Sequence, residues 1–201
     1  MTDTSRPRVG GFRLLVRVRE DSALALALCV LAGALLLAPT VQAANAPGEY
    51  EVKAAMLFNF AKFVAWPEAS FGAASDPFAI GIVGNDPFGP ELERVLAGKS
   101  IGGRAIVIRR WRNAGDRGPC QLLFVSASEQ DHLQSILDNL REQPVLTVGD
   151  LPGFAARGGI IGLTLAKGRV RFEINSSRAD AAHLSVSSRL LSLSRVVTAA
   201  R

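Results

Sequence analysis

The sequence contains few residues of the types that build metal centres and disulfide scaffolds. Only two cysteines and two histidines occur among its 201 residues. Two cysteines exclude a cysteine-rich scaffold and a four-cysteine zinc site, and two histidines provide too few ligands for a histidine-based metal cluster. Hydrophobic residues make up 48% of the chain and charged residues 20%, so the chain is too apolar to be disordered. A chain of this length is expected to form one domain.

The N-terminal segment differs in composition from the rest of the chain. Residues 1–21 carry five arginines, residues 23–38 carry no charge, and Pro39 ends the apolar run. The small residues of the segment 41–43 then provide a cleavage site, with a second candidate a few residues later. A positive end, an apolar middle and a small-residue site, in this order, predict a secretory leader over residues 1–43 that is removed after export.

A permanent N-terminal anchor is the alternative to a cleaved leader. The sixteen uncharged residues 23–38 would span about 24 Å as a helix, which is less than the roughly 30 Å of a bilayer hydrocarbon core. A lipoprotein would need acylation at Cys29, which would leave hydrophobic residues directly after the cut. The pattern therefore favours cleavage, and with it a periplasmic location for residues 44–201.

Removal of the leader changes both the charge balance and the cysteine content. The leader holds five of the 23 basic residues and three of the 18 acidic ones, so the net charge falls from +5 to +3. A net charge of +3 is ordinary, so the basic isoelectric point of the full chain does not argue for a nucleic-acid partner, and we predict none. Cys120 would be the remaining cysteine, and its place before the apolar run 121–125 favours burial. A disulfide between chains or a reactive thiol remains the alternative.

Residues 44–201 show helical and strand patterns in alternation. The predicted helices cover 49–66, a segment from an Asp86 N-cap and Pro87 to near Gly98, 128–140 and 185–197. The predicted strands cover 78–84, 105–111, 121–125, 144–148, 159–165 and 170–174. This alternation predicts a single α/β domain with a largely parallel sheet flanked by helices. The turn at 166–169 adds a C-terminal antiparallel hairpin at the edge of that sheet.

The predicted helix 49–66 is more apolar than a helix with one buried face needs to be. Its polar residues Glu51, Asn59 and Lys62 share a narrow strip with Trp66, and most of the remaining circumference is apolar. We therefore expect this helix to be buried on several sides, either by its own core or by a partner protein.

The sequence lacks a recognisable catalytic constellation. Gly98-Lys99-Ser100 lacks the first glycine of a P-loop, and Gly81–Gly84 lacks the spacing of a dinucleotide-binding loop, so both are interpreted as turns. Glu129 and His132 have ligand spacing but are interpreted as a solvated pair. The basic cluster 109–112 could contact nucleic acid or anionic lipid, although a solvated strand end is favoured. We predict a protein without enzymatic activity, cofactor or metal.

Four stretches of the chain together resemble the YfiR family of periplasmic regulators. They are residues 50–67, 80–89, 145–161 and 170–191, in this order. The resemblance implies a single α/β domain, often dimeric, that is exported to the periplasm. It implies a regulator that holds down an inner-membrane diguanylate cyclase by contacting its periplasmic part, with an outer-membrane lipoprotein that relieves the inhibition. Well-studied members carry paired disulfide cysteines, whereas the chain after leader removal has Cys120 alone.

The resemblance also suggests which residues contact the partner. Phe172, Glu173 and Asn175 match the Phe-Glu-Ile-Asn signature of the family. We favour Asn175 as the cap of the following helix and Phe172 as a core residue. The predicted partner-binding residues are the aromatic residues of the apolar helix together with the signature glutamate: Phe58, Phe60, Phe63 and Glu173.

A small-molecule-binding module is the alternative function. In open α/β sheets, ligands bind in the crevice at the carboxyl ends of the parallel strands. The glycine-containing loops 84–89 and 149–158 follow predicted strands and would border such a crevice. A ligand in that crevice could also tune a regulator, so the two functions do not exclude each other.

Overall fold

The computed structural model describes residues 48–197. The predicted leader 1–43 and its cleavage site therefore lie outside the described residues. The helices are α1 (Glu49–Phe63), α2 (Glu91–Leu96), α3 (Leu133–Asn139), α4 (Ser176–Ala181) and α5 (Ser188–Ser192). The strands are β1 (Val64–Ala65), β2 (Phe78–Val83), β3 (Ser100–Ile101), β4 (Arg104–Trp111), β5 (Leu122–Val125), β6 (Leu146–Gly149), β7 (Ile161–Ala166), β8 (Arg169–Asn175), β9 (Ser185–Val186) and β10 (Arg195–Val197).

An eight-stranded sheet forms the centre of the described chain. Its strand order is β10-β8-β7-β6-β5-β2-β4-β3, and β2, β4, β5, β6 and β7 run parallel to one another. Every residue of β2, β5 and β6 is buried, as expected for parallel strands covered on both faces. β1 and β9 form a separate two-stranded antiparallel sheet. The predicted α/β class with a largely parallel sheet is confirmed.

Helices cover both faces of the sheet and enclose two hydrophobic clusters. On one face, Leu57 and Phe60 of α1 pack with residues of β2 and with Leu92 of α2. On the other face, Leu133 and Leu137 of α3 pack against side chains of β5. The side chains of α1 and α3 therefore belong to different clusters on opposite faces of the sheet.

The apolar helix ends three residues earlier than the sequence predicts. α1 stops at Phe63, and Val64 and Ala65 pair with β9 as a short strand. The residue before a proline is restricted to extended backbone, so Pro67 prevents Trp66 from being helical. The indole Nε1 of Trp66 donates a hydrogen bond of 3.1 Å to the carbonyl of Gln121, which holds the extended segment on the sheet.

The predicted helix start at Asp86 is wrong. Asp86 closes a turn instead, because its Oδ1 accepts the backbone N–H of Phe88 at 2.8 Å. Its other carboxylate oxygen accepts a hydrogen bond from Nε of Arg110 at 2.7 Å. α2 begins five residues later, at Glu91. Asp86 therefore stabilises the loop after β2 instead of capping a helix, and Arg110 of β4 holds its carboxylate in that position.

The predicted helix 128–140 is also shorter than expected. Ser126 accepts a hydrogen bond from the N–H of Ser128 and starts a 3₁₀ turn over Ala127–Glu129. The regular helix α3 begins only at Leu133. Ser126, the short polar residue directly after β5, binds one of the N–H groups that the start of a helical segment leaves free.

The prediction of a closing helix over 185–197 is wrong. The segment folds as β9, the short helix α5 and β10, and β10 pairs with β8 in parallel. The predicted hairpin of β7 and β8 is present, and Lys167 and Gly168 form its turn with positive φ angles of 52° and 70°. Because β10 adds to the outside of β8, the hairpin does not form the edge of the sheet as the sequence predicted.

Candidate functional site

The crevice at the carboxyl ends of β2 and β5 is closed by hydrogen bonds within the chain. Ser126 Oγ donates to the carbonyl of Asn85 at 2.6 Å, and the N–H of Asn85 donates to Ser128 Oγ at 2.9 Å. Gly84 has a φ angle of 89°, and a Cβ at this position would collide with Ser128. The polar groups that a ligand would need at this strand switch point therefore bind one another.

An ionic cluster joins the first turns of α1 to the end of β6. The Nζ atom of Lys53 lies 2.6 Å from Oδ2 of Asp150 and 2.6 Å from Oε1 of Glu49. The Tyr50 hydroxyl donates to the same Asp150 oxygen at 2.9 Å, and the ammonium lies 4.2 Å from the centre of the Tyr50 ring. The side chains of Lys53 and Asp150 are only 4% and 8% exposed. The cluster thus ties α1 to the loop after β6 through nearly buried charges.

The environment of this cluster favours a charged lysine and a neutral tyrosine. Burial acts to lower the pKa of Lys53, but hydrogen bonds from its ammonium to Asp150 and Glu49 outweigh it, and the pKa rises above 10.5. Burial and the hydrogen bond to Asp150 raise the pKa of Tyr50 above 10.0. Both groups therefore keep at neutral pH the protonation states that the three-way contact with Asp150 requires.

The cluster predicts a loss of stability in alkaline solution. A group whose pKa is raised by folding stabilises the native state fully below its ordinary pKa and loses that effect as the pH passes the raised value. For Lys53 and Tyr50 this window lies above about pH 10. We expect the urea midpoint to be flat between about pH 7 and 9.5 and to fall above it. The fall will be shallower in Lys53→Met, and an identical pH profile for that variant would contradict the assignment.

Sequence reasoning missed both Lys53 and Asp150 as members of a site. Lys53 lies on the buried face of α1 beside Ala54 and Leu57, where a charged residue needs a partner. That position was the available signal, because a lysine outside the polar strip of an apolar helix must be neutralised. The partner could not be found from spacing, since Asp150 is 97 residues away.

The structure separates the three phenylalanines predicted to contact a partner. Phe60 is 1% exposed and its ring packs against Phe172 with centroids 5.1 Å apart, so it is a core residue and presents no surface to a partner. Phe58 is half-buried beneath the ammonium groups of Lys62 and Lys99, at 5.6 and 4.8 Å.

Phe63 is also half-buried and lies at the other flank of α1. The guanidinium of Arg189 on α5 lies 5.7 Å from its ring. Phe58 and Phe63 therefore leave two separate part-exposed aromatic surfaces on α1, while Phe60 between them points inward. Of the three phenylalanines predicted to contact a partner, two therefore have exposed surface and one belongs to the core.

The two polar residues of the β8 signature, Asn175 and Glu173, both have partners within the chain. Asn175 is fully buried, its side chain accepts the N–H of Arg178 at 3.1 Å, and its amide donates to the carbonyl of Ala155 at 2.9 Å. This confirms Asn175 as the N-cap of α4. Glu173 pairs with Arg195 of β10 at 2.5 Å, and its side chain is 16% exposed. The Glu173 carboxylate thus already has a partner within the chain.

A cavity within the described residues lies at the amino ends of the parallel strands, not at the carboxyl ends. Its volume is about 630 Å³, and cavities of this size hold small ligands in other proteins. Trp66, Phe71 and Phe78 form its aromatic walls. Lys62 and Arg104 provide positive charge, and Glu68 provides a carboxylate. This cavity therefore does not coincide with the crevice that the sequence predicted beside loops 84–89 and 149–158.

Other residues singled out by the sequence have structural roles in the described chain. Arg110 bonds Asp86 and Glu93 at 2.7 Å each, which agrees with the interpretation of the basic cluster as a strand end. His132 is 73% exposed and lies 3.6 Å from Glu129, but the Glu129 side chain is only 11% exposed. The prediction of a solvated pair is therefore wrong for the glutamate, because its side chain packs against Gly84 at the end of β2. Cys120 is 5% exposed, which confirms its predicted burial, and burial raises the pKa of its thiol.

Two further observations concern metal ligands and membrane-spanning helices. Within residues 48–197 no group of three or more histidine, cysteine or acidic side chains is placed to hold a metal ion. Of the helices in that same range, none is long and apolar enough to cross a membrane.

Comparison with known proteins identifies the family. The YfiR/HmsC-like family matches residues 50–195, from the first turn of α1 to the first residue of β10. The chain belongs to the YfiR/HmsC-like family. The match contains both the Lys53–Asp150 tether and the β8 signature, and it confirms the resemblance on which the sequence prediction rested. A comparison with curated proteins finds no match.

A solved structure supports the fold of this YfiR/HmsC-like chain. This chain is similar to the crystal structure of a conserved domain protein from Vibrio cholerae O1 biovar El Tor strain N16961, with a TM-score of 0.50 and 11% sequence identity. The similarity covers 74% of this chain and 60% of that one, so the chain spans less than two thirds of that protein. At this identity the likeness concerns the fold alone.

Proposed function

We propose that this protein is a periplasmic inhibitor of an inner-membrane diguanylate cyclase and lowers cyclic di-GMP by binding the periplasmic part of that enzyme. The family match over residues 50–195 is the observation that carries this proposal. An outer-membrane lipoprotein that relieves the inhibition, and a second copy of the chain, remain predicted partners.

The part-exposed flanks of α1 support a protein partner. Phe63 and Phe58 are half-buried aromatic side chains beside the cations Arg189 and Lys99. Aromatic residues and arginine are enriched where proteins bind one another, because they combine apolar area with a polar or charged contact. We place the contact at the Phe63 flank, because Phe58 is covered by two lysine side chains and Phe63 by one arginine.

Intracellular cyclic di-GMP tests this proposal. Deletion of the gene in a strain that expresses the cyclase should raise cyclic di-GMP, and re-expression of the full chain with its leader should restore the low level. Expression without residues 1–43 should not restore it, because the protein would stay on the wrong side of the membrane. An unchanged level after deletion would overturn the proposal.

A pair of variants tests the surface. Phe63→Glu should restore the low level poorly, whereas Gln130→Glu should restore it fully. Gln130 is exposed in the turn before α3, so its variant adds the same charge away from α1. Circular dichroism of both purified variants separates a lost contact from a lost fold. Full restoration by a folded Phe63→Glu would move the contact away from this flank.

Binding of a small molecule is the second candidate function. The cavity of about 630 Å³ at the amino ends of the strands favours it, with aromatic walls beside Lys62 and Arg104. A thermal-shift screen over a broad metabolite panel tests it. No shift with any compound would count against this function and would leave the first proposal unaffected.

A further inference from the structure

A second concave site lies on the α3 side of the sheet. It has a volume of about 370 Å³ and lies between α3, the loop before β7 and the start of α4. Its polar and charged lining side chains are Gln134, Asp138, Arg141, Arg157 and Arg178. Neither the proposed partner contact at Phe63 nor the cavity beside Trp66 uses any of these residues.

Arg178 is held in place at the wall of this pocket. Its Nε donates a hydrogen bond of 3.0 Å to the carbonyl of Gly158, and its backbone N–H is capped by the buried Asn175. Asn175 in turn donates to Ala155 in the loop that forms the neighbouring wall. Within residues 48–197 the two terminal nitrogens of the Arg178 guanidinium have no acceptor, so they are available to a ligand.

The pocket carries an excess of positive charge. Three arginines line it, whereas Asp138 is its single carboxylate. Asp138 accepts hydrogen bonds from Arg141 at 3.3 Å and from Gln134 at 3.1 Å. Arg157 is exposed and has no ion-pair partner in the described part of the chain. One arginine is therefore balanced, and two positive charges remain.

The pKa of Arg178 also reflects the excess of positive charge in this pocket. Burial and the positive charge of Arg141 lower the pKa of Arg178, while Asp138 opposes this effect. The two cations thus repel each other across a concave surface. A bound anion would relieve this repulsion, because guanidinium groups share their N–H donors readily among the oxygens of one ligand.

We propose that the pocket formed by Arg141, Arg157 and Arg178 binds a small phosphorylated anion that carries at least two negative charges. Planar guanidinium groups match the oxygen geometry of phosphate, and two unbalanced cations call for two negative charges. A volume of about 370 Å³ holds more than one phosphate group. Phosphate of this kind occurs in free phosphorylated compounds and in phospholipid headgroups.

Pyrophosphate is the probe for this site. Isothermal titration of the protein, purified from cells that express the full gene, is performed at constant ionic strength set with sodium chloride. We expect saturable binding that weakens about tenfold in Arg157→Gln and about tenfold in Arg178→Gln, the loss expected for one charge-assisted contact. Arg157→Gln removes no side-chain hydrogen bond or ion pair within the described chain, and a circular-dichroism spectrum equal to that of the unchanged protein excludes misfolding as the cause of its effect.

Arg169→Gln is the matched control. Arg169 is exposed at the start of β8 and does not line the pocket, so this variant loses one positive charge elsewhere. Its affinity for pyrophosphate should equal that of the unchanged protein. Equal weakening in all three variants, or no saturable binding of pyrophosphate, would overturn the proposal.

Vesicles separate the two sources of phosphate. Co-sedimentation with vesicles of phosphatidylglycerol in phosphatidylcholine, competed by pyrophosphate and reduced by Arg157→Gln but not by Arg169→Gln, would identify a lipid headgroup. Pyrophosphate binding without co-sedimentation would identify a free phosphorylated compound. Both results support the site, and neither depends on the proposed cyclase contact.

Discussion

Replacement of Lys53 by methionine will lower the free energy of unfolding by about 3 to 5 kcal/mol, the cost of removing one partner from a buried ion pair. Methionine fills a similar volume but leaves the carboxylate of Asp150, which is 8% exposed, without its cation. Asp150 Oδ1 has no hydrogen-bond partner, so the carboxylate cannot compensate through a second oxygen. Urea unfolding followed by circular dichroism measures the change.

Two further variants identify the source of this loss. Lys62→Met removes a lysine from the exposed side of α1 and should change the free energy of unfolding by less than about 0.5 kcal/mol. Lys53→Met combined with Asp150→Asn removes the uncompensated charge and keeps an acceptor for Tyr50, so it should recover about half of the loss. A Lys53→Met protein as stable as the Lys62→Met protein would show that the tether contributes little.

Phe60→Asp will prevent folding under native conditions. Truncation of a buried phenylalanine alone costs about 3 to 5 kcal/mol, and an unpaired buried charge adds a further penalty. The sum is comparable to the total stability of a domain. Phe60 is 1% exposed and packs against Phe172 of β8, so the aspartate would lie between helix and sheet with no solvent. Circular dichroism should show loss of the native spectrum.

Asn59→Asp is the control for this variant. Asn59 is the exposed neighbour of Phe60 on α1, so the same new charge reaches water there. Its urea midpoint should match that of the unchanged protein. A folded Phe60→Asp protein with an unchanged midpoint would contradict the burial of this residue. Loss of cyclic di-GMP control in Phe60→Asp therefore reports on folding, and the contact must be tested at Phe63.

Elements that depend on local signals were predicted well. The unbroken apolar runs of β2 and β5 gave strands within one residue of the structure, because strands buried on both faces need no partner pattern to be recognised. The hairpin of β7 and β8 followed from its turn chemistry at Lys167 and Gly168. The N-cap at Asn175 was likewise readable, because a cap acts within three residues.

Elements that depend on distant partners were predicted poorly. Val186, Leu190, Leu193 and Val197 have helical spacing, yet Val186 pairs with Val64 and Leu193 is 71% exposed. Asp86 has the composition of a helix cap, yet Arg110 and the N–H of Phe88 occupy its carboxylate. In each case a contact between segments far apart in sequence outweighed a local preference of about 1 kcal/mol.

The family, the α/β class and the apolar character of α1 could be predicted from the amino-acid sequence, because the four motifs and the hydrophobic periods lie within short segments. Which aromatic side chains of α1 face outward depends on where β8 and α5 pack, so this could be seen only in the folded chain. The tertiary structure also brought Lys53 to Asp150 across 97 positions and gathered Arg141, Arg157 and Arg178 around one pocket. Charges separated along the chain become a site only when the sheet order fixes their distance.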